Sequence, residues 1–346
     1  MNSTYPNSPF FQQIISILHT ARQETVKQVN RTMVYAYFEI GRMIVEEEQQ
    51  GKNRAEYGKA LLQKLSAVLS EEFGKGFSVT NLRQMRGFYL AYQAHLGVLK
   101  ANSKKQQTLS VEFTLGWSHY LKLMRIEDTQ ERQFYEIEAQ QNNWSVRELQ
   151  RQYDSALYQR LALSRDKKGI EALAEKGQLV SQPQDSLKDP YILEFLGLPE
   201  REQYTESDLE QRLIDKLEHF LLELGKGFAF VARQKRISFD ERHFRVDLVF
   251  YNRLLRCFVL IDLKIGDLKH QDLGQMQMYV NYYDRFVKLE EEEKTVGIIL
   301  CQDKSETLVE ITLPEDNKQI FASKYQTVLP SKEELKRVIA AKGNQE

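Results

Sequence analysis

The chain has 346 residues, more than one core ordinarily fills, so two domains or one large one are expected. With 42% hydrophobic and 28% charged residues its composition is that of a globular protein, which excludes a fibrous or disordered chain. A formal net charge of −1 excludes attraction of nucleic acid by the molecule as a whole, so such a partner has to be met by local basic patches.

The N-terminal MNSTYPNSPFF has no basic segment followed by an apolar stretch, and no run nears the ~18 apolar residues of a membrane span. A cytoplasmic protein without a membrane partner is the expectation. From Phe10 to about Gly177 apolar residues recur at helical spacing, which predicts an all-α domain. Within it, Tyr57 to Glu72 reads as one helix, GKGFS as a turn, and Val79 to Tyr92 as a second helix displaying Asn81, Arg83, Gln84 and Arg86. That is the outline of a helix-turn-helix, whose second helix reads the major groove, and Asn, Gln and Arg are the side chains that bond adenine and guanine in pairs. An ordinary helical hairpin with a polar face is the alternative. Further on, Ser145 and Glu148 spell a capping box, which predicts a helix through Tyr158.

Between Gln178 and Pro199 three prolines interrupt any helix, and the domain boundary is placed there: a helical domain at 1–180 and a second domain at 181–346. The second begins with a helix from about Asp208 to Leu224 and continues with three strand-like runs, FAFVARQKRISF, HFRVDLVFY and RCFVLIDLK. A helix near Gln271 to Val287 and a strand near Val296 to Cys301 follow. This order predicts a mixed sheet flanked by helices, α+β overall. Cys257 and Cys301 sit in apolar runs without paired or metal-binding spacing and are expected to be buried thiols.

The chemistry concentrates in those strands. Asp247 lies in FRVDLVFY and Asp262 in FVLIDLK, and a carboxylate in a run apolar enough for a central strand is costly unless paired or bound to metal. Strand side chains alternate, so Asp262 and Lys264 share one face, and a hairpin through Asn252 to Leu255 brings Asp247 alongside. Two hard oxygen ligands suit Mg²⁺, and Lys264 could hold the attacking water or stabilise charge at phosphorus. A structural Asp262–Lys264 ion pair is the plain alternative.

Other groups cluster around this pattern. Glu210 falls within the apolar stripe of its helix and points inward as a third acid, although Ser207 to Glu210 also spells a capping box that would employ it. Gln275 shares a helix face with Tyr279 and Tyr282 and could orient water or phosphate; the two tyrosines read as core. Arg233, Lys235 and Arg236 lay basic groups beside the acids, and Lys269 follows the third strand, for phosphate contact or as a solvated edge.

These residues resemble the PD-(D/E)XK nuclease signature, and the chain is similar almost end to end to the YhcG-type family. In the C-terminal half the resemblance rests on LLELGKGFAFVARQKRISF, FRVDLVFYNRLLRCFVLIDLKIG, GQMQMYVNYYD and GIILC. In the N-terminal half it rests on EEFGKGFSVTNLRQMRGFYLAY, WSHYLKLMRI and FYEIEAQQNNWSVRELQRQ. The resemblance implies a restriction-endonuclease-like core in which Asp247 and Asp262 bind metal, Lys264 assists the nucleophile and Gln275 supports the site. The family's helical glutamate maps to Glu210, and Asp262 stands where many members carry Glu. The implied activity is a metal-dependent DNA endonuclease using Mg²⁺, with Mn²⁺ substituting; a nuclease-fold scaffold without activity is the rival. Self-association into a homo-oligomer is compatible with the sequence.

Overall fold

The computed structural model describes residues 9–50, 54–102, 113–163, 167–198, 204–329, 331–333, 335 and 337. The segment before Pro9, to which the leader reading applies, and Pro199 lie outside them. The chain divides into two compact units, residues 1–150 and 151–346.

The first unit is helical: α1 (Pro9–Gln50), α2 (Arg54–Phe73), α3 (Val79–Asn102), α4 (Trp117–Leu123) and α5 (Thr129–Gln141), with α6 (Val146–Asp154) crossing the division. A 3-10 turn at Lys75–Phe77 joins α2 to α3, as the GKGFS stretch predicts. Leu82, Met85, Phe88 and Tyr92 form the buried row of α3 at helical spacing. α1 packs closely on that row because Gly41 has no side chain; a Cβ there would collide with the Met85 carbonyl oxygen. Phe38, Phe88, Phe113 and Tyr120 pack ring to ring with centroids 5.0–5.7 Å apart, which makes this core largely aromatic.

The division falls upstream of the Pro-rich stretch. Arg151 and the buried Arg160 pair with Glu194 and Glu223, which ties this part of the chain to the second unit. The helix expected to run through Tyr158 stops at Asp154: Ala156 takes a left-handed φ of 53°, and α7 (Leu157–Leu163) starts afresh.

After α8 (Lys167–Lys176) and α9 (Pro183–Ser186) comes the short strand β1 (Tyr191–Ile192). The helix expected from Asp208 to Leu224 is two, α10 (Glu206–Asp215) and α11 (Leu217–Leu224), broken at Lys216. Then follow β2 (Phe228–Phe239), β3 (Arg242–Asn252), β4 (Cys257–Leu263), α12 (His270–Phe286), β5 (Val296–Cys301), α13 (Glu306–Thr312) and β6 (Ile320–Gln326). The sheet order is β1-β6-β5-β4-β3-β2, with β2, β3 and β4 antiparallel and β4, β5, β6 and β1 parallel. The mixed sheet flanked by helices is thus as read from the sequence, with β1 and β6 added.

Each face of the sheet has its own core. Leu248, Phe250, Val259, Ile261 and Leu263 pack against Leu209, Leu213, Phe220 and Leu224 of α10 and α11. On the other face Val249, Leu260 and Ile299 meet Leu273, Met276, Tyr279 and Val280 of α12. Gly297 permits that approach, since a Cβ there would sit 2.5 Å from Met276 Sδ. Burial on both sides explains why β4 and β5 read as unbroken apolar runs. Both cysteines are buried free thiols. No described helix is long and apolar enough to cross a membrane.

Candidate active site

Strand register decides which side chains meet. Leu248 of β3 pairs with Ile261 of β4 as the last pair of that ladder, and Asp247 and Asp262 are the next residue beyond it on each strand. The Leu263 N–H donates to Asp247 Oδ2 at 2.9 Å and pins that carboxylate across the strand boundary. Lys264, two residues beyond Asp262, reaches back so that its Nζ lies 2.8 Å from Asp262 Oδ2. On the edge strand, Gln234 lies between the paired residues Arg233 and Lys235, opposite Asp247. Gln234, Asp247 and Asp262 thus come from three adjacent strands.

α10 supplies the third acid. Thr205 Oγ1 accepts the Asp208 N–H at 3.1 Å and the Asp208 carboxylate accepts the Thr205 N–H at 2.9 Å, so this capping box occupies the helix start. The box expected at Ser207 to Glu210 does not form, because the helix begins earlier, and Glu210 is left for other work. It is buried, accepts a hydrogen bond from Gln234 on Oε2, and has no hydrogen bond on Oε1, where Arg233 Nε stands 3.5 Å away. Gln234 Nε2 also donates to Asp247 Oδ1 at 3.1 Å.

The electrostatics follow from burial and like charge. Burial, then the neighbouring Asp247, push the Asp262 carboxyl up to about 7 against the pull of Lys264. Glu210 is raised as well, by burial first and also by Asp247, with Gln234 and Arg233 opposing. Burial would lower Lys264, but Asp262, then Glu206 and Asp247, outweigh it and hold the ammonium above its ordinary value. Asp247, Asp262 and the buried Glu210, whose Oε1 accepts no hydrogen bond, offer hard carboxylate oxygens of the chemistry a divalent cation takes. Among the described residues no three acidic, histidine or cysteine side chains converge on a single point, and the Gln234 amide stands between Glu210 and Asp247.

Other expected residues are placed differently. The Gln275 amide donates to the Tyr279 hydroxyl, which donates to the Arg245 carbonyl at 2.9 Å, so Gln275 braces α12 on β3 and its bond goes to no acid. Tyr279 is fully buried, as expected of core, and its hydroxyl is pushed up to about 12 by burial and then Asp262; Tyr282 is half-buried. Arg233 turns toward the site, donating to Gln211 Oε1 at 3.0 Å beside its contact with Glu210. Lys235, Arg236 and Lys269 are exposed.

In the first unit, Asn81 Nδ2 donates to the Gly76 carbonyl at 3.0 Å and thereby braces the turn before α3. Arg86 Nε meets Glu48 Oε2 at 2.6 Å, while Gln84 is half-buried and Arg83 exposed. Arg83, Arg86, Lys59 and Glu48 line an open concavity of about 780 Å³.

Two residues of the site escaped sequence reasoning. Glu206 Oε2 lies 3.9 Å from Lys264 Nζ, and its Oε1 accepts the Ile265 N–H at 3.3 Å. Gln234 was masked by the basic residues around it in RQKR, and its left-handed φ of 45° has no signature in residue type.

Residues 184–340 match the model of the YhcG PDDEXK nuclease domain, and residues 13–160 match that of the DUF1016 N-terminal domain. YhcG of Escherichia coli (strain K12) is 40% identical over 341 residues, covering 93% of this chain and 90% of that protein. Among solved structures, a repair endonuclease from Pyrococcus abyssi is similar over 37% of this chain and 50% of its own, at 24% identity and a TM-score of 0.26. The EndoMS–dsDNA2 complex is similar over 38% and 49%, at 18% identity and a TM-score of 0.27. Matched over nine-tenths of its length, the chain belongs to the YhcG family, with a C-terminal domain of the PDDEXK nuclease type.

Proposed function

We propose that this protein is a divalent-metal-dependent endonuclease that hydrolyses DNA phosphodiester bonds. The observation that carries the reading is the meeting of Asp247 and Asp262 on neighbouring strands, with Lys264 Nζ 2.8 Å from Asp262 and the buried Glu210 tied to Asp247 through Gln234. Buried acids that repel one another are poor structural elements; neutralised by a cation, they become a binding site.

Asp247, Asp262 and Glu210 would hold the ion, Mg²⁺ by preference and Mn²⁺ in its place. When bound, the cation supplies Lewis acidity at the scissile phosphate. Lys264, with Nζ 2.8 Å from Asp262 Oδ2, would orient the attacking water and offset charge building on phosphorus. The exposed Lys235, Arg236 and Lys269 would meet the phosphates flanking the scissile bond, and Arg83 on α3 would add a contact from the first unit.

The test is a cleavage panel of circular duplex, linear duplex, branched and single-stranded DNA, and RNA, each with Mg²⁺, Mn²⁺ or EDTA. Internal cuts in DNA that need the metal and vanish with EDTA are expected. Cleavage undiminished by EDTA, or of RNA alone, would overturn the proposal.

A further inference from the structure

Gln234 is the neutral member of an otherwise basic run, and it holds a left-handed backbone within a β-strand, at φ 45°. Glycine adopts that conformation freely, whereas a residue with a Cβ adopts it at a cost, and such strain gathers where a side chain has to be aimed. Here the side chain is half-buried while its neighbours Arg233 and Lys235 are exposed. Its amide donates to two carboxylates on two different elements, Glu210 of α10 and Asp247 of β3.

We propose that Gln234 is a positioning residue of the nuclease site: its amide aligns the Glu210 and Asp247 carboxylates for a divalent cation. The inference rests on the nuclease reading above. Asp247 is gripped from both sides, by the Leu263 N–H on Oδ2 and by Gln234 on Oδ1, so neither oxygen is free to swing. Glu210 has a single hydrogen-bond tie to that strand, through Gln234, and its other oxygen accepts none. A lysine or arginine at this position would bring its own charge and compete with the cation. An amide orients the acids and leaves their negative charge in place, as the outer partners of metal ligands do.

The test compares wild type with Gln234→Gly, which deletes the donors and relaxes the backbone, and Gln234→Leu, which deletes them at similar size. Mn²⁺ affinity is measured by calorimetry without DNA, beside the melting temperature and the kcat and KM for cleavage. For both variants Mn²⁺ binding should weaken by about tenfold or more, the range found when a partner of a metal ligand is lost. The kcat should fall with KM for DNA unchanged, and Gln234→Gly should melt at or above the wild-type temperature. A variant that binds Mn²⁺ and turns over like wild type overturns the proposal, as does a loss that appears only as a lower melting temperature. Should Gln234→Gly fail to fold, Gln234→Leu is read by the same criteria. If the wild-type chain takes up no Mn²⁺, the nuclease reading itself fails, before any variant is compared, and the role of Gln234 falls with it.

Discussion

Arg160 Nη1 donates to Glu223 Oε1 at 2.6 Å with both side chains fully buried, an ion pair that fastens α7 to α11. The Ile192 N–H donates to the same oxygen at 2.9 Å, and Lys188 Nζ stands 4.0 Å from Oε2. Glu223 lies outside the apolar stripe of its helix in the sequence. Its burial comes from α7 and the 188–192 segment, which cover that flank. Arg160→Met would leave a buried carboxylate short of its main partner and should destabilise the fold by about 3–5 kcal/mol. Arg160→Met with Glu223→Leu should recover little of that loss, because it strands the buried Lys188 ammonium and the Ile192 N–H that Glu223 also holds. Urea denaturation of the three proteins measures it; equal stability of wild type and Arg160→Met would show that the pair contributes nothing.

The same carboxylate sets a pH dependence. Burial alone would raise Glu223, but Arg160, then Lys188 and Arg151, hold it down to about 2, below its ordinary 4.5. A folded value below the unfolded one means that the contribution is complete above about 4.5 and is lost as pH falls toward 2. The difference in unfolding free energy between wild type and Glu223→Gln should therefore narrow over that window and stay constant above it. Denaturation curves at intervals from pH 6 to 2.5 check this, and a constant difference throughout would contradict it.

Lys264→Ala and Asp247→Ala should separate rate from affinity. Loss of the Lys264 charge should lower kcat by about 10²–10³-fold, the cost of one group that stabilises developing charge, with Mn²⁺ and DNA binding largely kept. Asp247→Ala should weaken Mn²⁺ binding as well, since the site has few carboxylates to give. Single-turnover cleavage and calorimetry on both variants provide the readout. A Lys264→Ala protein cleaving at the wild-type rate would remove this residue from catalysis.

On α3, Arg83 is exposed whereas Arg86 is already paired with Glu48. If this helix grips DNA through phosphates, Arg83→Ala should weaken binding uniformly across sequences and lower the salt dependence by about one phosphate contact. Arg86→Ala should cost less. Fluorescence anisotropy at several salt concentrations distinguishes them, and unchanged affinity for Arg83→Ala would argue that α3 serves another purpose.

The central pair of acids was legible in residue order alone. A carboxylate amid Val, Leu and Phe in a strand-length run is expensive to bury, and a period of two places Lys264 on the face of Asp262. The short hairpin between two such runs then leaves little choice of register, so Asp247 and Asp262 come to lie next to each other just beyond the last paired residues. Those relationships are local, and local sequence encodes them. Glu210 was ambiguous because capping and catalysis use the same residue type, and only the folded helix start, with Thr205 and Asp208 in the cap, released it. Gln234 and Glu223 were decided entirely by tertiary structure. The first depends on a left-handed backbone that residue type does not specify, and the second on Arg160 and Lys188 arriving from distant chain to make a buried charge tolerable.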